Sequence, residues 1–179
     1  RSSRGPWRRA PGGRRSARAL IDGGPPMHRA HPAFAGGRIP RQAVLDGFHL
    51  RVLHPAEVEE DFRAVTETAG DLRGLMGGDW PVGLTLEANL WDLAWHLREF
   101  EAERSFAWIV GDAGGAYLGC AYVFPAFADA PAAQAAWWMR ASAAGHGPRF
   151  GAAFARWLAS PPWPEGMAVT VRAPAAQRG

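Results

Sequence analysis

Apolar positions recur along this chain with two periods, and the switches between them mark out its elements. From Phe48 to Leu53 the run Phe-His-Leu-Arg-Val-Leu alternates with period two, as a half-buried strand does. Behind Pro55, Val58, Phe62 and Val65 recur at helical spacing. Glu57, Glu59, Glu60 and Asp61 fall in the first turn of that helix, where carboxylates face the positive end of the helix dipole, and they read as a solvated helix start. A loop from Asp71 to Gly83 surrounds Trp80-Pro81. The pattern Leu86, Leu90, Leu93, Leu97, Phe100 then predicts the strongest helix, capped by Thr85, with this stripe facing inward. Trp91, Trp95 and His96 flank the stripe; the two tryptophans are expected to pack on a sheet, with the lining of a pocket as the other reading.

Phe106 to Val110 and Tyr117 to Phe124 are aromatic and β-branched runs separated by Asp112-Ala-Gly-Gly115, and they predict an antiparallel hairpin that stops at Pro125. Gln134 to Arg140 predicts a further strand. Arg149 to Leu158 predicts a helix with Phe150, Phe154, Trp157 and Leu158 on one face, and Met167 to Val171 predicts a last strand after Pro161-Pro-Trp-Pro164. Between strand and helix lies the small-residue turn Ala141 to Pro148. The first N–H groups of a helix have no partner within it and carry partial positive charge. Glycines at 145 and 147 allow main chain to approach an anion there, although two glycines also serve plain turn geometry.

This order of elements, from Phe48 to about Arg172, resembles the GNAT superfamily of acyl-CoA N-acyltransferases. The segments that carry the resemblance are Phe48 to Leu53, Leu84 to Leu90 leading into His96 to Phe100, Leu118 to Pro125, Trp137 to Arg140 and the glycine turn. It implies an α+β (α/β mixed) fold: a central, mostly antiparallel sheet flanked by helices, here lacking the last helix and strands of many members. The family's phosphate-binding turn, Arg/Gln-x-x-Gly-x-Gly/Ala, falls on Ala144-Gly-His-Gly-Pro-Arg149, where Gly147 matches and Ala144 and Arg149 depart. The resemblance implies acetyl-CoA as a substrate held by Met139, Arg140, Gly145, His146, Gly147, Arg149 and Phe150. It assigns the polarising of the thioester to main chain around Trp138, and an acid's role to Tyr122. The strand position where family members often place a basic carboxylate reads Gln134-Ala-Ala136, and Gln cannot take a proton from an ammonium group.

Charge changes the picture of the N-terminus. Residues 1–41 hold ten Arg against one acid, a balance of +9, whereas residues 42–179 hold ten Arg against sixteen acids, a balance of −6. The basic pI of 9.9 therefore belongs to the leader and is no nucleic-acid footprint of the domain. The expected division is a disordered Arg-rich leader over residues 1–41 and a GNAT-like domain over 42–179. His28-x-x-His31 is read as tail, not as a metal site. The single cysteine, Cys120, has no base beside it in sequence and is expected to be buried packing; one thiol also fits a reducing, cytoplasmic setting. No apolar run is long enough to cross a bilayer.

Two readings of function remain open. One is an acetyl-CoA-dependent N-acetyltransferase acting on a primary amine of a small molecule or protein. The other is a catalytically degenerate GNAT-fold domain used for binding, which would dimerise through an exposed tryptophan surface near Trp137 or Trp163. Binding of nucleic acid by the leader rests on charge alone and is the least supported.

Overall fold

Among the described residues, six strands form one sheet in the order of the chain. The computed structural model describes residues 30–126 and 132–178. The strands are β1 (Gln42–Leu45), β2 (Phe48–Val52), β3 (Phe106–Gly111), β4 (Tyr117–Pro125), β5 (Ala132–Met139) and β6 (Ala168–Arg172). Neighbours are antiparallel except β5 and β6, which run parallel because a helix, α3 (Gly147–Leu158), lies between them in sequence. The helices α1 (Val58–Leu72) and α2 (Leu86–Glu101) join β2 to β3.

Strict alternation on the central strands divides the core in two. Phe106, Trp108 and Val110 on β3 pack with Trp137 and Met139 of β5 and with Phe150, Phe154 and Leu158 of α3. Ala107 and Ile109 face the other way, with Trp138, Tyr122 and Cys120, toward Ala64, Val65, Leu72 and Leu93 of α1 and α2. One residue breaks the alternation. Leu118 is bulged out of the β3–β4 ladder, since Gly111 pairs with Tyr117 while Val110 pairs with Gly119. The bulge turns Tyr117 onto the same face as Cys120, three residues away. Gly119 is required at this point, because a Cβ there would lie 2.0 Å from the Trp138 carbonyl oxygen.

The expected division at residue 41 is corrected by this structure. Phe34 is buried and meets Phe106 edge-on at 5.0 Å, and Trp108 donates through Nε1 to the Pro40 carbonyl at 3.1 Å. The segment from about Ala33 therefore belongs to the packed domain, because Phe34 supplies apolar area that the Arg-rich composition of the leader conceals. Residues 1–29, including His28, lie outside the described residues. His31 accepts the Ala33 N–H at 3.2 Å and caps a short 3₁₀ turn.

Candidate functional site

Pairing between β5 and β6 begins at Ala132 with Ala168 and ends at Ala136 with Arg172. Beyond it β5 continues through Trp137, Trp138 and Met139, while the other chain leaves the sheet at Ala173 and Pro174. A gap opens along the last residues of β5, beside the start of α3. The main chain of Met139 faces into it and meets a carboxamide: Met139 N–H donates to Oε1 of Gln177, and Nε2 of Gln177 donates to the Met139 carbonyl, both at 2.8 Å. Gln177 is 1% exposed, so the chain's own C-terminal segment closes the gap. Gly147 makes this fit possible, since a Cβ at 147 would stand 2.7 Å from the Gln177 carbonyl oxygen.

The turn before α3 is a 3₁₀ helix, Ala141–His146, that runs directly into α3. No side chain caps α3 and its first turn holds no acid; Gly147 N–H donates back to the Ala144 carbonyl of the 3₁₀ helix, and Pro148 has no N–H. Gly145 and His146 are exposed, and nothing lies within 4 Å of where a Gly145 Cβ would be. Arg149 is exposed as well, resting over the Phe48 ring at 4.6 Å with Asp46 at 3.7 Å. A cleft of about 380 Å³ runs along α3 between Trp137, Gly151, Val171, Arg172 and Arg178.

On the opposite face of the sheet, under α1 and α2, lies a buried polar cluster. Asp61 is 2% exposed and accepts from Nδ2 of Asn89 at 2.7 Å and from the Tyr117 hydroxyl. The Tyr117 hydroxyl also lies 2.9 Å from Sγ of Cys120, which stands 3.7 Å from Asp61. Burial raises the Asp61 carboxyl above its usual range, against the hydrogen bonds from Tyr117 and Asn89. Burial likewise pushes the Tyr117 and Tyr122 hydroxyls and the Cys120 thiol well up, so all three stay protonated at neutral pH.

Tyr122 accepts from Nε1 of Trp138 at 3.4 Å, and its ring lies 5.2 Å from that of His96. His96 is 5% exposed; Nε2 lies 3.6 Å from Asp92, and Nδ1 is buried without a partner. Desolvation lowers His96 to about 4, the Glu99 charge opposing it. Desolvation, then the charge of Asp61, raises Asp92 to about 6, although 48% of its side chain is exposed.

The residues expected at the site are thus divided. Met139 and Gly147 border the gap, and Gly145, His146 and Arg149 stand on the exposed approach to α3. Arg140 points elsewhere. Its guanidinium grips both oxygens of Glu67 at 2.7 Å and reaches Glu60 at 2.6 Å, tying the end of β5 to α1. The Phe150 side chain is fully buried between Phe48 and Trp137, leaving only its main chain for a ligand. Trp138 and Tyr122 are buried and bonded to each other, so Trp138 has only main chain to offer and Tyr122 meets nothing outside the protein.

Other expectations need correction. Trp137 and Trp163 are buried in the core, so neither forms a surface for dimerisation; among the described residues the exposed tryptophans are Trp91 and Trp95 on α2. Asp61, Asn89 and Gln177 were not singled out by the sequence as organisers of a site. The spacing 61–64–65–68–72 does place Asp61 on the buried face of α1, and that signal was available. Among the described residues, no group of three or more His, Cys, Asp or Glu is arranged to share a metal ion. No described helix is long and apolar enough to cross a membrane.

No protein-family model and no curated protein sequence matches the chain. Solved structures do. A ribosomal-protein-S5-alanine acetyltransferase from Vibrio fischeri is 11% identical at a TM-score of 0.53, over 66% of this chain and 67% of that one. An acetyltransferase from Salmonella typhimurium that modifies the N-terminal serine of ribosomal protein L7/L12 is 15% identical at 0.52, over 65% and 66%. RimL, an L7/L12 α-N-protein acetyltransferase in complex with coenzyme A, is 17% identical at 0.51, over 59% of this chain. The match spans 58% of RimL, less than two thirds of its length. At these identities it is architecture that is shared: the chain has the fold of the GNAT acetyltransferases.

Proposed function

We propose that the chain is an acyl-CoA-dependent N-acyltransferase, with acetyl-CoA as donor and a primary amine of a small molecule or protein as acceptor. The observation that carries this reading is the state of Met139. Its N–H and carbonyl stand in a gap where β6 has left the sheet, and both are bonded by a carboxamide. The pantetheine arm of coenzyme A is a chain of secondary amides, and such an amide satisfies a strand's main chain in the same way. The N-terminus of α3 adjoins this point, and the positive end of its dipole suits a diphosphate, with the exposed Arg149, set over Phe48 beside Asp46, as a cation nearby. RimL, a fold neighbour, was solved with coenzyme A bound.

In this reading the amine attacks the thioester carbonyl held at Met139, and the thiolate of coenzyme A leaves. The amine must shed a proton first. Gln134 is unable to take it, and the Asp61 oxygens are committed to Tyr117 and Asn89.

A second reading, a GNAT-fold domain without catalysis, is favoured by one observation: Gln177 fills the gap. The two are separated by calorimetry with acetyl-CoA on the wild type, Gln177→Ala, and Gln177→Ala with Gly145→Glu. Gly145 faces open space, so a glutamate there places negative charge at the start of α3 without steric cost. Binding by Gln177→Ala that weakens at least tenfold in the double variant supports the transferase. Lack of binding by all three proteins removes it.

A further inference from the structure

We infer that the segment Ala173–Arg178 is a displaceable occupant of the β5–β6 gap, and that an acyl-CoA binds only to the form in which Gln177 has left. The second half of this statement rests on the transferase reading; the first half does not.

The segment is held in a particular way. Arg172 is the last residue paired to β5, and Pro174 starts a 3₁₀ turn closed by Gln177 N–H to the Pro174 carbonyl at 3.0 Å. Of its side chains, Ala175, Ala176 and Arg178 face solvent, while Ala173 and Pro174 are buried but small. The only long side chain that enters the protein is Gln177. It is secured by two hydrogen bonds to the main chain of one residue, Met139, and by contact with Gly147. No large apolar group must leave a core for the segment to come out. Clefts flank it on both sides, about 460 Å³ toward the end of α1 and about 380 Å³ along α3, and Arg172 and Arg178 line both. Release would therefore open a slot still bordered by the Arg172 guanidinium, which stays on β6 and suits a phosphorylated ligand, while Arg178 leaves with the segment.

Substitution distinguishes an occupant from a structural clamp. Calorimetry with acetyl-CoA compares the wild type with Gln177→Ala and with Gln177→Glu, which keeps the shape but cannot donate to the Met139 carbonyl. Both variants are expected to bind at least tenfold more tightly than the wild type; equal or weaker binding overturns the inference. If no protein binds acetyl-CoA, the transferase reading fails and occupancy is judged without ligand, by amide hydrogen exchange. The Met139 amide of the wild type is expected to exchange at least tenfold faster than the ladder amide of Ile109 in mid-β3, because it opens without unfolding the sheet. Exchange of Met139 as slow as that of Ile109 makes Gln177 a fixed part of the fold and overturns the inference.

Discussion

Asp61 sits on α1 where helical packing alone would favour an apolar side chain, between the β4 face and α2. Its carboxyl is held by the Tyr117 hydroxyl, which arrives only because Leu118 bulges, and by the Asn89 amide. Read from sequence, Asp61 was one acid among four at a helix start, and its type outweighed its position. The stripe Asp61, Ala64, Val65, Thr68 and Leu72 is buried throughout. Asp61→Ala leaves a buried hydroxyl and a buried amide without an acceptor, and is expected to cost about 2–4 kcal/mol. Asp61→Asn keeps an acceptor oxygen and should cost clearly less. Urea unfolding of both at pH 7 is the check; equal losses would mean that the cavity and not hydrogen bonding sets the cost.

At the scale of elements, α2 shows how far apolar spacing can be trusted. The helix, its Thr85 cap and its length were all legible, and Thr85 accepts the Ala88 N–H at 3.1 Å. Its orientation was not. The inward face is Asn89, Leu93, His96, Glu99 and Phe100, while Leu86, Leu90, Trp91 and Trp95 are exposed by 40–68%. Leu93 and Phe100 belong to both stripes, so the choice falls to the polar residues. Asn89 turns inward to reach Asp61, and His96 to lie against Tyr122. Partners on other elements are invisible to a periodicity count. Leu93→Ala is therefore expected to cost about 2–5 kcal/mol, and Leu90→Ala or Trp91→Gln no more than about 0.5 kcal/mol, measured by urea denaturation. A large loss at Leu90 would return the inward face to the leucine stripe. The sheet was legible from β2 to β6, because its strands are bounded by glycine and proline. The occupant of the gap was not visible, since a lone glutamine in a terminal Ala/Pro stretch has no periodicity to betray it.

Across the whole molecule, the buried cluster under α1 and α2 makes stability depend on pH in two opposing ways. His96 is lowered from 6.5 to about 4, so the unfolded chain binds its proton more readily than the folded one. Its neutral form therefore favours folding above pH 6.5, and that advantage is lost as pH falls toward 4. Asp92 is raised from 3.8 to about 6, so the folded chain holds its proton longer, and stability falls as pH rises through that interval. Solvent at the half-exposed Asp92 screens its share, whereas His96 is nearly enclosed by Trp95, Tyr122 and Phe124 and faces the charge of Glu99. The His96 slope should dominate. His96→Leu removes it, and relative to this variant the wild type is expected to lose about 3 kcal/mol between pH 6.5 and pH 4. Asp92→Asn should shift the profile in the opposite sense by a smaller amount. Urea midpoints at pH 4, 5 and 6.5 decide the matter. If His96→Leu and the wild type run parallel over that range, His96 takes up its proton inside the folded protein and α2 does not enclose it as tightly as Nδ1 without a partner implies.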